Sequence, residues 1–271
     1  MGKIAERFGQ IRQAGKKALI PYITAGYPDL NVSEKIALAA IDAGSDILEI
    51  GIPFSDPIAD GPSIQHSSQS ALDAGATPSA CLDMAARVAA ERPDVPVLIM
   101  TYVNLLLAVG LEVWLERMKE GGLAGLILPD LSLESYGRYD STFQAFPEIE
   151  LVQLASVVSP EDRLEILAQQ TRGFLYVVSV TGVTGAGQSF DSRLADRMAT
   201  IRTLTDCPLA IGFGVDGPQS AATLAALGDG VIVGSLLVEA IRSSEAQDAP
   251  QVVAARIAEL REGIDLEPFR T

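Results

Sequence analysis

The chain has 271 residues, 48% of them hydrophobic, and sets 20 Lys and Arg against 35 Asp and Glu for a net charge of −15. Such acidity excludes nucleic acid and anionic membrane as partners held by bulk charge, and any anionic substrate must be captured by local backbone amides. The length suits one large α/β domain or two small ones; no linker, low-complexity tract or charge block divides it, so one domain over 1–271 is preferred.

In chain order, the amphipathic start (Ile4, Phe8, Ile11) predicts an extra N-terminal helix that plugs the bottom of a barrel. Strands are predicted at 18–24, 46–52, 96–102, 125–129, 150–156, 173–179, 208–214 and 230–234. They are rich in Val, Ile and Leu rather than cleanly alternating, as expected of parallel strands covered on both faces. Helical periodicity fills 33–43, 79–92, 111–120, 160–170, 191–204 and 218–227 between them. Ser159, Pro160, Glu161 and Asp162 read as a cap, a first-turn proline and first-turn acids, while Gly44, Gly121 and Gly228 mark helix ends. A polar loop is expected at 243–250 before a last helix at 251–262.

Eight β-then-α units are the signature of a (β/α)8 TIM barrel, with a doubly wound open sheet as the alternative. In a barrel, Glu49, Asp60, Tyr102, Asn104, Asp130 and Tyr176 fall on the catalytic face. Two cysteines, Cys81 and Cys207, form no framework and no CxxC pair, which suits a cytoplasmic protein with both thiols as core fillers. A single His66 excludes a multi-histidine metal site, and no metal is expected. No apolar segment reaches the ~18 residues of a membrane span, and the N-terminus lacks an apolar signal core.

The most informative stretch is Leu-Glu-Ile-Gly-Ile-Pro-Phe-Ser-Asp-Pro-Ile-Ala-Asp-Gly-Pro at 48–62. It places Glu49 inside an apolar strand and Asp56 and Asp60 in the loop that follows, and no Lys or Arg occurs from Gly44 to Ala86. A buried carboxyl without a cation beside it has its charged form destabilised, so its pKa rises into the range useful for proton transfer. The competing explanation is a Glu at an exposed edge and an Asp60 that only caps a turn.

Glycine turns at 182–185, 212–214 and 234–235 follow the sixth, seventh and eighth strands. Glycines let backbone N–H groups converge, and a helix starting after Gly234 adds partial positive charge, a combination that suits a phosphate dianion. No Lys or Arg lies at 173–192 or 208–241, so amides and hydroxyls would hold it.

Together these features resemble the tryptophan synthase alpha subunit family along almost the whole chain. The carrying motifs are PYITAGYPD, LEIGIPFSDPIADGPSIQ, MTYVN, LILPDL, VTGVTGAG, IGFGV and GVIVGS. The resemblance implies a (β/α)8 barrel that cleaves indole-3-glycerol phosphate to indole and glyceraldehyde 3-phosphate by a retro-aldol reaction. It implies no cofactor in this chain, and a beta subunit carrying pyridoxal phosphate as partner in an α2β2 complex. By motif position it implies Glu49 as acid/base, Asp60 as partner of the indole nitrogen and Tyr176 as active-site tyrosine. Tyr22, Ile64, Tyr102 and Ile127 would line the indole pocket, and Thr184, Gly185, Phe213, Gly214, Gly234 and Ser235 the phosphate end.

The chain departs from the pattern at Ser70 and Val180, where relatives carry Arg, and at Ser132, where Pro is expected. The apolar segment 105–110 reads either as a partner-binding patch or as a buried loop. Asp56 resembles a signalling residue to the beta subunit or serves as a turn former, and 180–191 could close over substrate. Two other readings compete: a free-standing lyase without a partner, and a catalytically weak barrel retained as an activator, whose mark would be loss of Glu49.

Overall fold

The computed structural model describes residues 2–178, 192–212 and 214–266. The N-terminal half runs α1 (Lys3–Gln13), β1 (Ala18–Thr24), α2 (Leu30–Asp42), β2 (Leu48–Gly51), α3 (Pro62–Asp73), α4 (Pro78–Glu91), β3 (Val97–Met100), α5 (Val103–Val109), α6 (Leu111–Glu120) and β4 (Gly125–Ile127). It continues through α7 (Leu133–Tyr136), α8 (Asp140–Ala145), β5 (Glu150–Ser156), α9 (Glu161–Gln170), β6 (Leu175–Val178) and α10 (Ser192–Leu204). The last units are β7 (Leu209–Gly212), α11 (Pro218–Leu227), β8 (Gly230–Val233), α12 (Ser235–Arg242) and α13 (Ala249–Leu266).

All eight strands pair in parallel in chain order, and β8 returns to β1 with Ala18 opposite Gly230, so the sheet is a closed barrel. That closing ladder rules out the open doubly wound sheet. The near-continuous apolar strands follow from their position: one face meets the helices, the other the barrel interior.

The interior has its own cluster, including Ile20, Ile47, Leu98, Ile127, Val152, Phe174 and Ile232, and Ile4, Phe8 and Ile11 of α1 complete it from below. Phe8 stands 5.6 Å from the Phe174 ring. The plug is fastened by Glu150, whose carboxylate caps α1 by accepting the Ile4 N–H at 2.7 Å and the Ala5 N–H at 3.3 Å. Asp46 secures the same end, accepting from Arg7 at 2.8 Å, Arg261 at 2.9 Å and the Leu19 N–H at 3.0 Å.

The expected strands are all present, most of them shorter than expected by one to three residues because the ladder stops where the loops leave. Several expectations need correction. In the segment 105–110 the buried-loop reading fails: Val103–Val109 forms the helix α5, with Leu106 buried and Leu107 and Val109 45% and 56% exposed. Pro160 is the cap of α9 rather than its first helical residue, with extended backbone. The last helix starts at Ala249, inside the expected loop, and α3, α7 and α8 had no counterpart in the sequence reading. Cys81 is buried, whereas Cys207 is only half-buried.

Candidate active site

Glu49 lies in β2 with its inward-facing side chain in register with Tyr22 of β1 and Leu98 of β3. It is 1% exposed, and among the described residues its Oε2 has no hydrogen-bond partner. Burial, reinforced by the negative charge of Asp60, pushes its pKa up to about 8. The exposed-edge explanation therefore fails: near neutral pH this carboxyl carries a proton it can give away.

Asp60 sits in the loop between β2 and α3, half-buried. Its backbone N–H donates to the Pro57 carbonyl at 3.1 Å, and its carbonyl accepts from the Gln65 side chain at 2.8 Å. Burial raises its pKa to about 6, and a hydrogen bond from the Tyr102 hydroxyl opposes the rise. Two neighbouring carboxyls thus take opposite protonation states at pH 7, Glu49 neutral and Asp60 ionised.

Tyr176 of β6 is buried, and its hydroxyl pKa is raised by burial and by the nearby Glu49 and Asp60. Two glycines make room for the inward tyrosines. A Cβ on Gly51 would collide with the Tyr22 ring and hydroxyl, and one on Gly212 with those of Tyr176. Each tyrosine therefore lies across the end of the next strand.

Ile127 is fully buried in the interior cluster. Ile64, on the first turn of α3, is half-buried and approaches Gly234. Tyr102 stacks on Phe54 with ring centres 5.1 Å apart. Glu49, Asp60, Tyr22, Tyr102 and Tyr176 are therefore brought together at the carboxyl ends of the strands, where barrels carry their active sites.

Beside Tyr22, at the end of β8, Gly234 precedes α12 and Ser235 is its exposed first residue. Gly214 follows β7 with φ +84°, a left-handed conformation natural to glycine, and among the described residues no atom stands within 4 Å of where its Cβ would be. Thr184, Gly185, Phe213, Val180 and the segment 180–191 lie outside the described residues.

Other expected site residues have local structural work. The Asp130 carboxylate accepts the Val103 N–H at 3.0 Å, capping α5, while Asn104 is exposed. Ser132 caps α7 through the Ser135 N–H at 3.3 Å. Asp56 is exposed and accepts from the Ser55 hydroxyl at 2.6 Å. His66 is exposed and stands edge-on to Tyr27 at 6.1 Å. The sequence reading missed Gly51 and Gly212 as slots for tyrosines, and the hydroxyls of Thr24 and Ser67. Gly51 was discoverable, since it falls two residues after Glu49 and so on the same inward face.

The sequence model of the family described as tryptophan synthase alpha chain matches residues 8–265. The tryptophan synthase alpha chain of Gloeobacter violaceus is 41% identical over 259 residues, covering 95% of this chain and 92% of that one. The crystal structure of tryptophan synthase subunit alpha from Legionella pneumophila superposes with a TM-score of 0.90 at 31% identity, covering 98% of this chain and 99% of that one. A structure of Mycobacterium tuberculosis tryptophan synthase gives 0.89 at 30% identity, over 98% and 99% of the two chains. With the family matched over nearly its whole length and the barrel and carboxyl pair in place, the chain belongs to the tryptophan synthase alpha chain family.

Proposed function

We propose that Glu49 and Asp60 carry out the lyase reaction of this chain, with Glu49 as the acid and base and Asp60 as the partner of the indole nitrogen. As a tryptophan synthase alpha chain the protein acts in tryptophan biosynthesis as an indole-3-glycerol-phosphate lyase. Protonated Glu49 gives its proton to C3 of the indole ring, which becomes an indolenine cation. Ionised Asp60 accepts from the ring N–H and stabilises that positive charge in a poorly solvated site. The hydroxyl on the adjacent side-chain carbon then loses its proton to the Glu49 carboxylate. As that C–O bond becomes a carbonyl, the C–C bond breaks and its electron pair restores the aromatic ring. Glu49 ends protonated, ready for the next turnover.

The carrying observation is the protonation split between the two carboxyls, Glu49 raised to about 8 and Asp60 to about 6. In this reading Tyr22, Ile64, Tyr102 and Ile127 enclose the indole, and Tyr176 closes the interior side. Gly214, Gly234 and Ser235, with Thr184, Gly185 and Phe213, hold the phosphate through amides and hydroxyls. Proton transfer and C–C cleavage draw on no cofactor in this chain, and pyridoxal phosphate belongs to the beta chain.

The same reading makes 1–271 one barrel domain in the cytoplasm and gives it a beta subunit as partner in an α2β2 complex. Among the described residues no helix is long and apolar enough to cross a membrane. Support for the partner comes from the match to a structure described as Mycobacterium tuberculosis tryptophan synthase and from the exposed Leu107 and Val109 on α5. The test is indole formation from indole-3-glycerol phosphate by the purified chain, with and without a beta subunit. Indole in both arms, faster with the partner, is the expected result. No indole in either arm overturns the lyase reading and leaves the activator-only barrel. Indole at equal rates, without co-elution, leaves the free-standing lyase.

A further inference from the structure

The Tyr22 side chain has polar surroundings that a purely apolar pocket wall does not need. Thr24, two residues on and on the same inward face, lies with its Oγ1 3.3 Å from the Tyr22 hydroxyl. The Thr24 Oγ1 is also 2.7 Å from the Ser67 Oγ of α3, and Ser67 in turn lies 2.9 Å from the Ile64 carbonyl. Thr24 and Ser67 are both fully buried, at 1% and 0% exposure.

Each of these three hydroxyls has one proton to give. In one arrangement Ser67 donates to Thr24 and Thr24 to Tyr22. In the other, Ser67 donates to the Ile64 carbonyl and Thr24 to Ser67. In the first, which is the direction the Thr24–Tyr22 contact takes, Tyr22's own proton is unspent and no described residue accepts it. Burial and the neighbouring Asp60 and Glu49 raise the phenol's pKa, so it stays a neutral donor.

Position then says what it faces. Tyr22 is in register with Glu49, and its ring edge packs beside Gly234 at the proposed phosphate end. Its hydroxyl reaches over Gly51, one step up β2 from Glu49. A substrate stretched between the carboxyl pair and the phosphate glycines carries its glycerol hydroxyls through this zone. The hydroxyl nearest Glu49 is the one on the carbon bonded to indole C3.

We propose that Thr24 and Ser67 hold the Tyr22 hydroxyl as a hydrogen-bond donor to the substrate oxygen that becomes the aldehyde carbonyl. This rests on the lyase reading above. An oxygen that accepts from Tyr22 has its own proton directed away, toward Glu49. As that proton leaves, the accepted hydrogen bond stabilises the negative charge developing on the oxygen. Tyr22 thereby touches a reacting atom, and Thr24 and Ser67 are positioning residues.

The test compares Tyr22→Phe, Thr24→Val, Ser67→Ala and the Tyr22→Phe/Thr24→Val double variant in steady-state cleavage of indole-3-glycerol phosphate. Tyr22→Phe is expected to lower kcat about tenfold with KM within about threefold, the size of one lost charge-developing hydrogen bond. Thr24→Val and Ser67→Ala should each give part of that fall, and the double variant should be no slower than Tyr22→Phe alone. Tyr22→Phe should also bind an analogue whose indole and phosphate are joined by a hydroxyl-free propyl chain as tightly as the parent does. Three results overturn the proposal: Tyr22→Phe within about twofold of the parent, multiplying effects in the double variant, or an equal loss of affinity for the hydroxyl-free analogue. A parent protein that forms no indole defeats the lyase reading and this inference together, whereas normal turnover by Tyr22→Phe defeats this inference alone.

Discussion

Tyr102 holds the loop of Asp60 in place: its hydroxyl accepts the Ala59 N–H at 3.0 Å and interacts with the Asp60 carboxylate, keeping that carboxyl's pKa down. With the ring stacked on Phe54, one phenol beyond the end of β3 clasps the loop after β2 at three points. The loop that carries Asp60 is thus fixed to a different strand from its own.

Replacing Tyr102 by Phe keeps the stack and removes the hydroxyl. The lost hydrogen bond had lowered the Asp60 pKa, so that pKa rises further above about 6. Asp60 must be ionised to hold the indole N–H, so the acid limb of kcat/KM against pH should move to higher pH. A profile superposable on the parent's counts against the clasp.

Glu49→Gln should abolish indole release while leaving the fold intact. It should also be more stable than the parent in alkaline buffer. The Glu49 pKa is about 8 folded, against 4.5 for a solvated Glu. Between those values the unfolded chain has lost a proton that the native state keeps, so stability falls as pH rises. Above pH 8 the gain from Gln should be on the order of 3 kcal/mol, fading toward pH 5. Urea unfolding of both proteins at pH 5 and pH 9 measures it.

Gly51→Ala puts a methyl group where the Tyr22 ring and hydroxyl now lie. The ring must move, at a cost of about 1–3 kcal/mol from overpacking. Because the displaced hydroxyl leaves Thr24, activity should fall by more than Tyr22→Phe alone produces. Parallel denaturation and turnover measurements separate the two effects.

Glu150→Ala leaves the Ile4 and Ala5 N–H groups without their acceptor and frees the plug helix α1. A loss of about 1–3 kcal/mol is expected, together with faster tryptic cleavage after Lys3 and Arg7. Cleavage at the parent's rate would mean that Ile4, Phe8 and Ile11 hold the helix unaided.

Leu107→Lys charges the exposed face of α5 without touching the carboxyl pair. Affinity for a beta chain should drop at least about tenfold, while indole release by the isolated chain is unchanged. Undiminished co-elution would place the partner elsewhere on the surface.

Much of this was readable before any coordinates. The strands at 18–24 and 150–156 match β1 and β5 residue for residue, because residues that are mostly apolar on both faces are what a doubly covered strand requires. Glu49 stood out as a carboxyl with no cation from Gly44 to Ala86, and burial follows from its apolar neighbours. Helix α5 was not legible: Val103–Val109 is apolar almost throughout, so it lacks the polar face that marks a surface helix. Pro160 was misplaced by one residue because helix starts are set by backbone dihedrals, which the sequence only biases.

The amino-acid sequence alone determined the eight-fold alternation, the family motifs and the two carboxyls, since each is local in the chain. Closure of the barrel, the protonation split and the partnerships of Tyr22 with Thr24, Ser67 and Gly51 were decided only by the tertiary structure. These depend on which strands become neighbours and how far water is excluded. Both are set by long-range pairing, and no stretch of the chain encodes that by itself.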